Sequence, residues 1–61
     1  MFDLKGRVAV ITGASSGLGR QMSFAFAEHG ADLVLMARRL GQLREVAKEI
    51  LDKYQVNVTI I

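Results

Sequence analysis

Thr12-Gly13-Ala14-Ser15-Ser16-Gly17-Leu18-Gly19 separates an apolar, β-branched run from a stretch with helical periodicity. Glycines at that density lower the stability of any regular element, so the preceding run must end there and a new element must start. The run Arg7-Val8-Ala9-Val10-Ile11-Thr12 lacks polar alternation at its centre, which predicts a strand buried on both faces. From Gly17 to His29 the residues Leu18, Met22, Ala25 and Phe26 recur at helical spacing, with Ser16 as N-cap and Gly30 as the stop. A helix of that length is about 20 Å long, close to the span of a five- or six-residue strand, so it returns the chain to the strand's starting edge.

Leu33 to Ala37 predicts a second continuous apolar strand. A second helix is expected from Leu40 to Tyr54, with Leu40, Leu43, Ala47, Ile50, Leu51 and Tyr54 along one stripe. Gly41 weakens its first turn, and Glu49 stands four residues before Lys53 as a helical ion pair. Val56, Val58 and Ile60 alternate with Asn57 and Thr59 as a third strand. This βαβαβ order with short connections predicts an α/β unit with a parallel three-stranded sheet and right-handed crossovers. Strand order 3-2-1 then lands both helices on one face and leaves apolar side chains bare on the other. With a third strand that runs into Ile61, the expectation is one half of a doubly wound fold, cut from a longer protein.

Sixty-one residues exclude a multidomain enzyme, and the absence of Cys and the single His exclude a disulfide framework and a zinc site. The net charge of +2 comes from scattered residues rather than a basic tract, which gives nucleic acid no support. Charges in Phe2-Asp3-Leu4-Lys5 argue against a secretory leader, and Leu33 to Ala37 is far short of the ~20 residues of a membrane span. A cytoplasmic protein without a membrane partner is the expectation.

The glycine turn sits where a strand hands over to a helix, the context in which such a turn binds a dinucleotide. Gly13 supplies a sharp turn, Gly17 lets a ligand approach the backbone, and Gly19 permits close packing of helix on strand. The first-turn N–H groups lack intrahelical acceptors and carry the positive end of the helix dipole, so a pyrophosphate suits them. No Gly-Lys-Ser/Thr follows, which excludes a P-loop, and the spacing is G-x-x-x-G-x-G rather than G-x-G-x-x-G.

With Thr12-Gly13 ahead of that spacing, the chain resembles the N-terminal part of the short-chain dehydrogenase/reductase family, whose signature is T-G-x-x-x-G-x-G. Gly6-Arg7-Val8-Ala9-Val10-Ile11 before it and Gly30-Ala31-Asp32-Leu33-Val34-Leu35 after it are also similar to that family, and the likeness runs over the whole chain. The resemblance implies that residues 1–61 are the N-terminal NAD(P)-binding part of a single Rossmann-fold domain. It implies an oxidoreductase parent, homo-oligomeric, that interconverts a small-molecule ketone and a secondary alcohol by hydride transfer. Gly13, Ser15, Ser16, Gly17, Leu18 and Gly19 would then cradle the cofactor.

Cofactor choice turns on the end of the second strand. NAD sites place a carboxylate there for the ribose hydroxyl, whereas this chain has Ala37 followed by Arg38 and Arg39. Asp32 begins that strand, roughly 17 Å from the ligand end. Guanidinium groups suit the 2′-phosphate of NADP, so NADP is expected over NAD. In family members with this arrangement the first arginine and a polar residue of the turn share the phosphate, which implies Arg38 with Ser15 or Ser16.

Each of these residues also has a plainer reading. An Arg pair between strand and helix is commonly a solvated turn, and Ser16 is an N-cap before it is a ligand contact. Arg20 is expected as a solvated side chain rather than an anion site, and His29 as a favourable charge at a helix C-terminus rather than a catalyst. Phe24, Phe26 and the methionines are expected as core or interface filler. No catalytic residue is assigned: the family's pattern is Tyr-x-x-x-Lys with a Ser, and Tyr54 has Val58 four places on. Two other readings stay open, a non-enzymatic dinucleotide sensor and a ligand-free self-associating fragment. An S-adenosylmethionine-dependent transferase on a similar sheet would want an acid where Arg38 stands.

Overall fold

The computed structural model describes residues 4–61; Met1, Phe2 and Asp3, which entered the filler and leader expectations, lie outside them. Five elements follow in chain order, β1 (Val8–Thr12), α1 (Gly17–Glu28), β2 (Asp32–Met36), α2 (Leu40–Lys53) and β3 (Val58–Ile60). All strands are parallel in the spatial order β1-β2-β3, as expected from the βαβαβ pattern. Val8 pairs with Asp32 and Thr12 with Met36, so β1 and β2 begin and end together. Leu33 to Leu35 pair with Val58 to Ile60, and Val56 falls outside the shortened third strand.

Both helices cover the same sheet face. Ile11, Leu33 and Leu35 form the core with Ala27 of α1 and Leu43, Val46, Ala47 and Ile50 of α2. Alternation turns Val8 and Val10 to the other face, where each is 63% exposed. The expected bare face is therefore present, and β1 is not buried on both sides within these residues.

The apolar periodicity of α1 does not mark its buried face. Leu18, Met22 and Ala25 are exposed, and the helix is buried through Ser23 and Ala27, one and two turns on from Gly19. Small residues at this spacing let a helix lie closer to a sheet than Leu or Met would allow. The buried Ser23 hydroxyl is satisfied by donating to the Gly19 carbonyl at 2.8 Å. In α2 the expected stripe holds at Leu43, Ala47 and Ile50, gains Val46, and fails at Leu40 and Leu51, which are exposed. Phe24 and Phe26 pack partly buried against the core, whereas Met22 is exposed.

The helix ends follow local chemistry. Gly30 has φ 95° and donates to the Ala27 carbonyl, while Ala31 donates to that of Phe26, a paired arrangement that ends α1. His29 is the C-cap, its N–H shared between the Ala25 and Phe26 carbonyls. Asp32 opens β2 and accepts from the Asn57 N–H at 2.9 Å, while the Asn57 carbonyl accepts from the Leu33 N–H. That exchange pins the register of β3.

Replacement of fully buried Ile50 or Leu43 by Ala in the full-length protein is expected to cost about 2–5 kcal/mol, the usual range for a core truncation. Urea unfolding measures it.

Candidate dinucleotide-binding site

The C-terminal ends of the parallel strands share one sheet edge, and the glycine turn leaves β1 there. Gly13 has φ 65° and Gly17 has φ 37°, both in the left-handed region that other residues enter at a cost. A Cβ on either would meet nothing within 4 Å, so backbone conformation and not crowding requires glycine. At Gly19 the requirement is steric. A Cβ there would run into the Gly13 carbonyl oxygen and stand 3.1 Å from the Ala14 Cα. The close packing at this glycine is thus not of helix on strand, as expected, but against the turn's own backbone, which folds back over the start of the helix.

Hydrogen bonds hold the turn. The Ser16 N–H donates to the Gly13 carbonyl at 3.3 Å, and the Arg20 N–H to the Ser16 carbonyl at 3.2 Å as the first helical bond. The amides of Gly17, Leu18 and Gly19 precede that bond and form the helix's positive end. Ser16 occupies the N-cap with extended φ and ψ, yet its side chain makes no capping bond, contrary to the expectation. Ser15 is partly buried and Ser16 exposed.

The Ala14 N–H donates to the Met36 carbonyl at 3.2 Å, which extends the β1–β2 pairing one step past the strands. Arg38 and Arg39, two and three residues beyond Met36, therefore sit on the same edge as the turn. Both are exposed, and Arg39 is the N-cap of α2, its carbonyl accepting from the Leu43 N–H. Ala37 is partly buried against the core. Asp32 opens the opposite end of β2 with its carboxylate committed to Asn57, as its place in the strand requires.

Arg20 departs from expectation. Its guanidinium is 2.6 Å from the Glu49 carboxylate and 4.7 Å from the centre of the Phe24 ring, so it is engaged by neighbouring side chains rather than free in solvent. Glu49 thus pairs across helices rather than with Lys53, whose ammonium lies over the Tyr54 ring at 5.7 Å. Tyr54 ends α2 with its N–H on the Ile50 carbonyl, partly buried and at the sheet edge away from the glycine turn. A pocket of about 310 Å³ lined by Leu4, Ala25, Phe26 and His29 lies at the far end of α1, a helix length from the turn. No helix among the described residues is long and apolar enough to cross a membrane.

The family profile described as short chain dehydrogenase matches residues 7–61. The chain is 46% identical over 59 residues to 11-beta-hydroxysteroid dehydrogenase A of Sesamum indicum, covering 97% of this chain and 17% of that protein. Among solved structures, L-sorbose reductase from Gluconobacter frateurii, complexed with NADPH and L-sorbose, superposes with TM-score 0.92 at 42% identity. That match covers 97% of this chain and 22% of the reductase. The bulky-bulky ketone specific alcohol dehydrogenase from Comamonas testosteroni gives TM-score 0.88 at 34% identity, covering 90% of this chain and 22% of that one. The chain belongs to the short-chain dehydrogenase family of oxidoreductases, with the Rossmann-like βαβαβ unit expected of it, and spans about a fifth of these relatives' length.

Sequence reading missed one buried polar residue and one ion pair between helices. Ser23 carried a signal in its small-residue spacing with Gly19 and Ala27, whereas the partnership of Glu49 with Arg20, 29 residues apart, carried none. Gly19→Ala is expected to destabilise the full-length protein by about 1–3 kcal/mol through overpacking. Gly41→Ala, in a helix with nothing near the added Cβ, should stabilise it by about 0.4–1 kcal/mol. Paired thermal melts of the two variants check the contrast.

Proposed function

We propose that residues 1–61 are the N-terminal NAD(P)-binding part of a longer oxidoreductase that uses NADP and interconverts a ketone and a secondary alcohol. The observation that carries this reading is the Ala14–Met36 hydrogen bond, which joins the glycine turn to the strand end that leads into Arg38 and Arg39. A cradle for a pyrophosphate and a pair of guanidinium groups for a 2′-phosphate thereby meet on one edge.

The residues fit the group. Open space beside the Gly17 Cα leaves room for a ligand against the amides of Gly17, Leu18 and Gly19, and the helix dipole favours negative charge there. Gly13 sets the path of the turn, and the Ser16 hydroxyl, which makes no capping bond, can donate to a phosphate, as can Ser15. Arg38 offers parallel charge-assisted hydrogen bonds to the 2′-phosphate, with Arg39 adjacent. No carboxylate among the described residues holds either arginine, and none stands at the end of β2 to favour a ribose hydroxyl. The nicotinamide supplies the hydride exchange when bound.

Other observations support the reading. The L-sorbose reductase structure contains NADPH, and the alcohol dehydrogenase relative is specific for bulky ketones. This chain contributes binding and orientation, and no catalytic group is assigned to it. Tyr54, its only tyrosine, is a packed helix end remote from the cradle.

Calorimetric titration of the full-length protein with NADPH and NADH tests the proposal. Wild type is expected to favour NADPH by about 1–3 kcal/mol, the worth of hydrogen bonds to a charged group. Arg38→Asp is expected to abolish or reverse that preference. Equal binding of both dinucleotides, unchanged by the substitution, would remove the phosphate role and leave Arg38 and Arg39 as a solvated turn.

A further inference from the structure

We infer that Arg20 and Glu49 act together as a positioning pair that sets the spacing between the pyrophosphate cradle and the 2′-phosphate arginines; this rests on the NADP reading above. The two anion subsites belong to different elements. The cradle is the start of α1, whereas Arg38 and Arg39 lead into α2. Strand pairing and the Ala14–Met36 bond fix their junctions at the sheet edge, and Leu43, Val46, Ala47 and Ile50 seat α2 on the sheet, which leaves the tilt of α2 beside α1 to contacts between the two helices.

The Arg20–Glu49 contact acts on that tilt. Arg20 follows Gly19 in the first turn of α1, and its guanidinium is held from two sides, by the Glu49 carboxylate at 2.6 Å and by the Phe24 ring one turn along the same helix. Glu49 is ten residues past Arg39, about 15 Å along α2 at 1.5 Å per residue. A tie that far from the N-cap restrains rotation of α2 about its arginine-bearing end. Arg20 and Glu49 are 44% and 53% exposed, so the pair contributes little to global stability.

An adenosine 2′-phosphate and a pyrophosphate within one ligand have a bounded separation. NADPH must satisfy both subsites at once, while NADH needs only the cradle. Loosening α2 therefore weakens NADPH selectively. A direct contact of Arg20 with the pyrophosphate would weaken both dinucleotides, and so would a general loss of folding.

The experiment is calorimetric titration of the full-length protein with each dinucleotide, for wild type, Glu49→Gln, Arg20→Met and Arg20→Lys, beside thermal melts and kcat. Glu49→Gln and Arg20→Met are expected to raise the Kd for NADPH by about 2- to 5-fold, the range an exposed pair can supply. The Kd for NADH and kcat should stay at their wild-type values, the melting temperature should fall by no more than about 2–4 °C, and Arg20→Lys should recover most of the NADPH affinity. Equal weakening of both dinucleotides, or no change in either, overturns the inference. Arg38→Asp in the same series reports separately on the parent reading: if wild type shows no preference for NADPH and Arg38→Asp changes nothing, the NADP assignment fails and the positioning role falls with it.

Discussion

Parallel pairing of β1 with β2, in a register that ends both strands at the same level, is the constraint on which the rest of the structure depends. Because Thr12 stands opposite Met36, the Ala14 amide reaches the Met36 carbonyl, and two loops distant in sequence leave the sheet together. A register shift of one residue would turn Ile11, Leu33 or Leu35 out of the core and separate the glycine turn from the arginine pair. The same apolar side chains that stabilise the sheet therefore align the candidate site. At the opposite edge, the exchange between Asp32 and Asn57 fixes β3 in turn, so an acid that could be mistaken for a ribose ligand has a structural partner.

Much of this was legible because the strongest sequence signals are local. Val8 to Thr12 and Leu33 to Ala37 are apolar enough to specify strands, and the spacing Gly13, Gly17, Gly19 specifies a strand-to-helix turn where backbone angle at the first two and crowding at the third leave little choice of residue. Gly30 likewise ends α1 where a left-handed residue is required. The same-face placement of the helices followed from topology and handedness rather than from any single residue.

What was not legible concerns contacts between elements. Hydrophobic periodicity identified α1 as a helix but did not mark its buried face, because the fully buried positions on α1 are the small residues Ser23 and Ala27. Leu18, Met22 and Ala25 share the helix with Gly19, Ser23 and Ala27, and only the second set allows the close approach seen. For Arg20 and Glu49 the local rules pointed elsewhere, to solvent and to Lys53, because crossing helices bring together residues that no spacing rule relates. The capping role of Ser16 failed for a related reason: its carbonyl enters the helix while its hydroxyl stays out of the cap.

The narrow seam between α1 and the sheet also sets which changes the chain can absorb over time. On the face formed by Gly19, Ser23 and Ala27 the room for drift is one-sided, since any gain in volume pushes the helix off the sheet, and at Gly19 off the glycine turn. On α2 the interface consists of Leu43, Val46, Ala47 and Ile50, where exchanges among branched aliphatics can be taken up by neighbours shifting. One sheet face thus joins a stiff record to a pliable one. Sequence divergence in this segment should accumulate in α2 and on the outer surfaces of both helices long before it reaches Gly19, Ser23 and Ala27.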